Sequence, residues 1–234
     1  MMTDYLSLNY DVLLGDRQGT ELYYNYLSKY VEYPLLELAC GTGDLLALLA
    51  QPKQYTVGID LDAQMLNQAF EKSNNFKLFK ADMRDFELYE TFKTIICVGD
   101  SLNYLNTNDL YLTLEQMDKH LDFNGKVIID LHHPSRLEEF EDPFIEEGII
   151  NSNLFYQWTI ASDQQELIHS FHFFDENGHV LQDKTIVQYV HLAHPVIKWF
   201  HQHGYHVEYN QDFGLPIKAT GEKIFIIASK GERI

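Results

Sequence analysis

Leu35-Leu36-Glu37-Leu38-Ala39-Cys40-Gly41-Thr42-Gly43-Asp44-Leu45-Leu46 is an apolar run that ends on an acid, passes through a Gly-x-Gly turn and opens into a helical pattern. A parallel strand hands over to a helix in this way where the backbone must pass close to a ligand. Gly41 and Gly43 permit φ > 0 and remove the Cβ atoms that would block the approach. A dinucleotide fingerprint begins similarly, but it needs a third Gly or Ala three residues after the second glycine and sets a pyrophosphate on the helix N-terminus. Leu46 holds that third position, and Asp44 would put a negative charge beside any phosphate. A ligand without phosphate fits the stretch better than NAD.

Three more stations follow in order. Tyr55-Thr56-Val57-Gly58-Ile59-Asp60-Leu61-Asp62 is a β-branched run ending in a carboxylate. An acid at the tip of a second strand can accept two hydrogen bonds from a ribose diol, which makes Asp60 a candidate. Asp62 reads as the N-cap of a helix over 63–72. Phe79-Lys80-Ala81-Asp82-Met83-Arg84-Asp85-Phe86 reads as a strand end and loop. Thr94-Ile95-Ile96-Cys97-Val98 runs straight into Gly99-Asp100-Ser101-Leu102, at the strand end where open α/β sheets bind ligands.

Glu37-x-Ala39-Cys40-Gly41-x-Gly43 with these stations resembles the class I S-adenosyl-L-methionine (SAM)-dependent methyltransferases. The resemblance implies SAM as cofactor, S-adenosyl-L-homocysteine as product, and no metal. It places Glu37 at the cofactor's amino-acid end, with Ala39, Cys40, Gly41 and Gly43 under its methionine and ribose parts; Ala39 stands where the family usually has glycine. It places Asp60 on the ribose, Leu61 and Met83 against the adenine, Asp82 on the adenine amino group, and Asp100 and Ser101 beneath the methyl donor. Gly99-Asp100-Ser101-Leu102 is not the Asp/Asn-Pro-Pro-Tyr/Phe signature of enzymes that methylate base or glutamine amino groups, which argues against a nucleobase amine as acceptor.

The rest of the chain fits a Rossmann-like α/β sheet, seven-stranded and mostly parallel in the family, with an inserted antiparallel three-stranded cap. Helices are expected over 16–31, 43–50, 63–72, 107–121 and 195–203, alternating with strands over 34–39, 56–60, 76–80, 94–98 and 126–131. After Pro134 the rhythm changes to alternating stretches over 154–161, 166–174 and 180–191, with Asn177-Gly178 as a hairpin signal. Residues 206–212 and 222–229 then complete the main sheet. The division is therefore a cofactor-binding core with an N-terminal lid helix over 1–150, a cap over 151–192 and a C-terminal completion over 193–234. This layout resembles glycine and sugar-amine N-methyltransferases, in which such an insertion roofs the acceptor pocket and an N-terminal Tyr-Asp segment folds over the cofactor. Tyr10-Asp11 matches that segment. Tyr10 would bring a ring and hydroxyl to the sulfonium, and Tyr23 and Tyr26 would help to close the pocket.

The net charge is −18, from 17 basic and 35 acidic residues, without a basic stretch. That disfavours nucleic acid and suits a neutral or cationic small-molecule acceptor. No apolar run approaches membrane-span length and the N-terminus has no basic signal region, so a cytoplasmic protein without membrane attachment is expected, compatible with a homodimer. Cys40 and Cys97 are expected reduced and buried. His201-x-His203-x-x-His206 and His169-x-x-His172 have metal-like spacings but fall on diverging faces, so no metal site is expected.

Methyl transfer from a sulfonium to nitrogen or oxygen needs a positioned nucleophile and, if the acceptor arrives protonated, a base. Asp100 and His132 at strand ends are the candidates, with Tyr10 near the sulfonium. A methyltransferase for protein or RNA, or a SAM-binding subunit without activity, are the alternatives. Trp158, Phe171, Phe173 and Tyr189 in the cap would set acceptor preference.

Overall fold

The computed structural model describes residues 4–231. Two short helices, α1 (Tyr5–Leu8) and α2 (Tyr10–Leu13), precede α3 (Arg17–Leu27). The core then alternates: β1 (Leu35–Leu38), α4 (Asp44–Leu49), β2 (Thr56–Asp60), α5 (Ala63–Lys72), β3 (Lys77–Lys80), β4 (Phe92–Cys97), α6 (Thr107–His120) and β5 (Leu121–His132). After α7 (Arg136–Glu139) come β6 (Phe144–Asn151), β7 (Leu154–Asp163), β8 (Glu166–Phe174) and β9 (Val180–Tyr189). The chain ends with α8 (Ala193–Gln202), β10 (Tyr205–Gln211) and β11 (Lys223–Lys230).

Seven strands form the main sheet in the order β10-β11-β5-β4-β1-β2-β3. β11 runs antiparallel to both β5 and β10, and the pairings from β5 to β3 are parallel. Period-two alternation sorts each strand's side chains onto opposite faces. Leu36, Leu38, Val57, Ile95, Val127 and Ile129 pack in one core with residues of α6 and α8. Leu35, Ile96, Ile128 and Phe225 pack on the other side with Tyr26 and Leu27 of α3. Strands this apolar on both faces must be covered on both, which the helices do.

The second sheet is antiparallel, with order β6-β7-β8-β9. It has one strand more than expected. β6 escaped the sequence reading because Glu146-Glu147-Gly148 interrupts its apolar alternation. In the structure these acids serve the edge: Tyr156 Oη donates to Glu146 Oε1 at 2.6 Å, and charged edge strands resist stray pairing. Gly178, at φ +80°, makes the β8–β9 turn.

The N-terminal segment joins the two sheets. Leu6 packs with Leu154, Phe171 and Phe173 of the antiparallel sheet, and Lys184 Nζ reaches Asp4 at 2.6 Å. On the other side Ser7 Oγ donates to Asp62 Oδ2 at 2.7 Å, and Asp11 accepts from Thr42 Oγ1 at 2.6 Å and from Lys72 Nζ at 2.7 Å. Among the described residues, no helix is long and apolar enough to cross a membrane. Cys40 and Cys97 are buried free thiols.

Candidate active site

The parallel strands β1, β2, β4 and β5 end on one edge of the main sheet, and the antiparallel sheet faces them across a cavity of about 520 Å³, within the range of small-molecule sites. The floor is the β1–α4 turn. Gly41 has φ +54°, and a Cβ built there would meet nothing within 4 Å, so this glycine leaves open space above the loop. Gly43 is different. Its Cβ would lie 2.8 Å from Ala69 Cβ, so it serves the close packing of α4 on α5. Ala39, where glycine is usual, sits at φ +53° and holds a left-handed conformation that L residues seldom adopt.

Glu37 projects from β1 on the α3 side and lines the cavity. It is 5% exposed, and its Oε2 has no hydrogen-bond partner. Burial, with the Asp60 charge adding, pushes its carboxyl up to about 8. A buried acid with a free oxygen over a cavity is a receptor for a cation. Asp60, at the end of β2, is pinned by Gly41 N–H to Oδ2 and Asp62 N–H to Oδ1, both at 2.8 Å. Each oxygen keeps a lone pair, the geometry a vicinal diol requires. Burial is the main reason its carboxyl stands above the ordinary range.

At the other end, β4 and β5 bring two acids together with opposite fates. Asp130 is fully buried and accepts from Tyr23 Oη, from Gly99 N–H at 3.1 Å and from Asp100 N–H at 3.2 Å. Burial dominates and holds its carboxyl above the usual range, although Lys223 opposes this. Burial also acts on Asp100, but there the adjacent Lys223 ammonium prevails and holds it low. Lys223 opens β11 directly opposite His132 in the β5 register. The antiparallel last strand begins where the parallel ones end, and so delivers a lysine to the same edge. His132 Nδ1 lies 3.5 Å from Asp100 Oδ1, and its Nε2 contacts Gln188 Oε1 at 2.9 Å.

A methyltransferase domain model matches residues 35–125, the strands and turns that build this edge. Over 167 residues the chain is 31% identical to the putative methyltransferase YqeM of Bacillus subtilis, covering 66% of this chain and 68% of that protein. The chain belongs to the class I methyltransferases. A shorter match, 32% over 97 residues and 41% of each chain, is to a dTDP-3-amino-3,4,6-trideoxy-alpha-D-glucopyranose N,N-dimethyltransferase of Streptomyces venezuelae. The fold is also that of an S-adenosylmethionine-dependent methyltransferase from Clostridium acetobutylicum, with TM-score 0.79 and 20% identity, covering 95% of this chain and 96% of that one.

In this methyltransferase the cavity gathers Tyr10, Tyr23, Glu37, Ala39, Cys40, Gly41, Gly43, Asp100, Ser101 and His132 of the residues singled out in the sequence. Tyr10 keeps its phenol proton, since burial and then the Asp100 charge push its ionisation up. Asp60, Leu61, Asp82 and Met83 lie outside the cavity lining. Leu61 is 61% exposed, Met83 packs against the main core, and Asp82 accepts from Arg84 Nη2 at 2.6 Å. Tyr26 is placed elsewhere: it is buried among Phe213 and Phe225 and hydrogen-bonded to Asn210 at 3.0 Å. One helical turn along α3, Tyr23 takes the position over the site instead.

The histidine spacings do not converge. His203 Nδ1 bonds the Trp199 carbonyl at 2.8 Å, His172 Nδ1 bonds Asp183 at 2.7 Å, and among the described residues no group of three potential ligands could hold a metal. Sequence reading missed Asp130, Lys223 and Gln188, and weighed His169 only as a metal ligand. Asp130 left a signal, a charge in the apolar run of β5. The others sit on strands whose direction or partners only the fold reveals.

Proposed function

We propose that this methyltransferase transfers the methyl group of SAM to nitrogen or oxygen of a small-molecule acceptor. The observation that carries the cofactor is Glu37, a cavity-lining residue whose buried Oε2 has no hydrogen-bond partner, beside the open space over Gly41. The amino group of a methionine moiety supplies the missing cation, and the Lys72 ammonium at the β1–α4 turn is already held by Asp11 and Asp44, each at 2.7 Å, rather than left for a phosphate. Ala39, Cys40, Gly41 and Gly43 would carry the methionine and ribose. Asp60 would take the ribose diol, and Leu61, Asp82 and Met83 the adenine, with Asp82 sharing its oxygens with Arg84. The bound cofactor supplies an electrophilic methyl group with its own leaving group, so the protein's work is positioning and exclusion of water.

Tyr10, Asp100, Ser101 and His132 would flank the methyl group. Tyr10 contributes a neutral phenol, and Asp100 and His132 face the acceptor end, roofed by Trp158, Phe171 and Ile186 of the antiparallel sheet. The relatives named for aminosugar dimethylation support a small acceptor. The acidic balance of the chain supports a neutral or cationic one. The test is calorimetric titration with SAM, S-adenosyl-L-homocysteine and NAD, followed by mass spectrometry of acceptor panels. Micromolar binding of both adenosyl ligands and none of NAD is expected; silence from both adenosyl ligands with folded protein refutes the cofactor assignment.

A further inference from the structure

The loop that leaves β4 takes a path that L residues seldom follow. Gly99 and Asp100 stand next to each other in the left-handed region, at φ +74° and φ +64°. Glycine enters it freely, whereas Asp100 carries a Cβ and needs a reason to stay. The reason lies under the loop. Successive backbone N–H groups that converge on one point form a concavity suited to an anion, and here the chain supplies the anion itself. Asp130 of β5 accepts Gly99 N–H on Oδ2 at 3.1 Å and Asp100 N–H on Oδ1 at 3.2 Å. Tyr23 Oη donates to the same Oδ2, and Lys223 Nζ lies 3.8 Å from it.

This clamp governs a cavity residue from behind. Asp130 is fully buried and is not part of the cavity lining, whereas Tyr23, Gly99, Asp100 and Lys223 are. The Asp100 N–H is held by Asp130, and its carbonyl accepts from Asn103 N–H at 3.0 Å. Its Oδ1 is bound by Lys223 and lies 3.5 Å from His132 Nδ1, and neither of those contacts uses Oδ2. The backbone and one carboxylate oxygen of Asp100 are thus fixed by the protein alone. Asp130 needs both of its oxygens for this. Asparagine has one acceptor oxygen and an NH2 that only donates, so whichever way its amide turned, one loop N–H would meet another N–H.

We propose that Asp130 is a positioning residue: it fills the Gly99–Asp100 concavity, holds Asp100 in its left-handed conformation, and so presents the Asp100 carboxylate to the positively charged, methyl-bearing end of the cofactor. The proposal rests on the cofactor reading above and adds to it a residue that touches neither cofactor nor acceptor.

Two readouts test it together. The first is the ratio of two affinities, measured by calorimetry. Sinefungin carries an amine-bearing carbon where SAM has its methylated sulfur, and S-adenosyl-L-homocysteine has a neutral sulfur there. A general loosening of the fold weakens both ligands alike, whereas a displaced Asp100 weakens sinefungin alone. The wild type should bind sinefungin ~10-fold or more tighter, the effect of one charged hydrogen bond. Asp130→Asn should erase most of that advantage while nearly preserving S-adenosyl-L-homocysteine affinity, and Asp100→Asn should erase it directly. The second readout is deuterium exchange of the Gly99 and Asp100 amides by NMR without ligand. Both should be protected in the wild type, and one should lose protection in Asp130→Asn, which separates a moved loop from a missing charge. Free exchange of both amides in the wild type, unchanged protection in Asp130→Asn, equal losses for the two ligands, or a sinefungin advantage that survives Asp100→Asn overturns the proposal. Absence of S-adenosyl-L-homocysteine binding by the folded wild type would count against the cofactor instead, and the exchange measurement, which needs no ligand, still decides whether the clamp holds.

Discussion

Replacing Glu37 by glutamine should stabilise the protein without ligand and weaken its hold on SAM, and both effects can be worked from one carboxyl. In the folded chain Glu37 ionises near pH 8, against 4.5 for an ordinary glutamate, because it is buried and close to Asp60. Between those values the folded state holds a proton that the unfolded state has lost. Stability therefore falls as pH rises through this window and levels off above pH 8. At ~1.4 kcal/mol per pH unit, the contribution against folding is under ~1 kcal/mol at pH 5, ~3 at pH 7 and ~5 at pH 9. Glu37→Gln removes the titration and nearly preserves the shape. Urea unfolding of both proteins at pH 5, 7 and 9 should show the variant's advantage growing by about 4 kcal/mol across the range; the difference between the two proteins isolates Glu37 from every other titrating group. A difference constant to within ~1 kcal/mol would refute the buried, raised carboxyl.

The same carboxyl must ionise to meet a ligand's ammonium. SAM binding to the wild type at pH 7 should therefore release close to one proton, counted by calorimetry in buffers of differing ionisation enthalpy. The variant should release none and bind ~10–100-fold more weakly, the loss of one charged hydrogen bond of ~1.5–3 kcal/mol. Equal affinity would place the cofactor's amino group elsewhere.

Asp60→Ala should cost about 1–3 kcal/mol of SAM affinity through the lost diol bonds; unchanged calorimetric binding removes Asp60 from the site. Gly41→Val and Gly43→Val should separate two kinds of glycine. The first should abolish SAM binding because its side chain enters open cavity, with a drop in the unfolding midpoint limited to the strain of a β-branched residue at φ +54°, whereas the second, at φ +77°, should lower the midpoint further because Ala69 is 2.8 Å away. The reverse pattern in binding and melting would refute the assignment. Lys223→Met should destabilise by about 3–5 kcal/mol at pH 8, since Asp100 and Asp130 lose their shared cation, and by less at pH 5, where protonation relieves them; a pH-independent loss would show that packing dominates.

The parallel half of the fold was legible because each strand is an apolar run ending in a polar turn. Thr56–Asp60 and Ala63–Lys72 lie where the pattern puts them. The floor of the candidate site was legible for the same reason, since Glu37 and Gly41 lie within one strand-to-helix turn, and a turn's residues are consecutive in the chain. β6 was not legible, because an edge strand facing water needs no apolar alternation and carries Glu146 and Glu147 for its own purposes. Tyr26 was misplaced by three residues of helix. Tyr23 and Tyr26 share a helix face, and only packing against Phe213 and Phe225 decides which ring goes to the core and which hydroxyl to Asp130.

The acceptor end shows why the remainder lay beyond sequence. Its pieces come from β4, β5, β7, β8, β9 and β11, far apart in the chain, and its chemistry depends on where one proton sits. His132 alone could present either nitrogen to the cavity. Gln188 could turn its amide either way, and His169 could carry its proton on either side. The indole N–H of Trp158 donates and never accepts, and from that single fixed polarity each later choice follows in turn to the proton on His132 Nε2. The cap's aromatic residues, which as sequence said only that the acceptor tolerates apolar surroundings, thus also fix which nitrogen of the core's histidine donates to Gln188. The antiparallel sheet and the parallel sheet form one site because a hydrogen-bond polarity begun in the first is completed in the second.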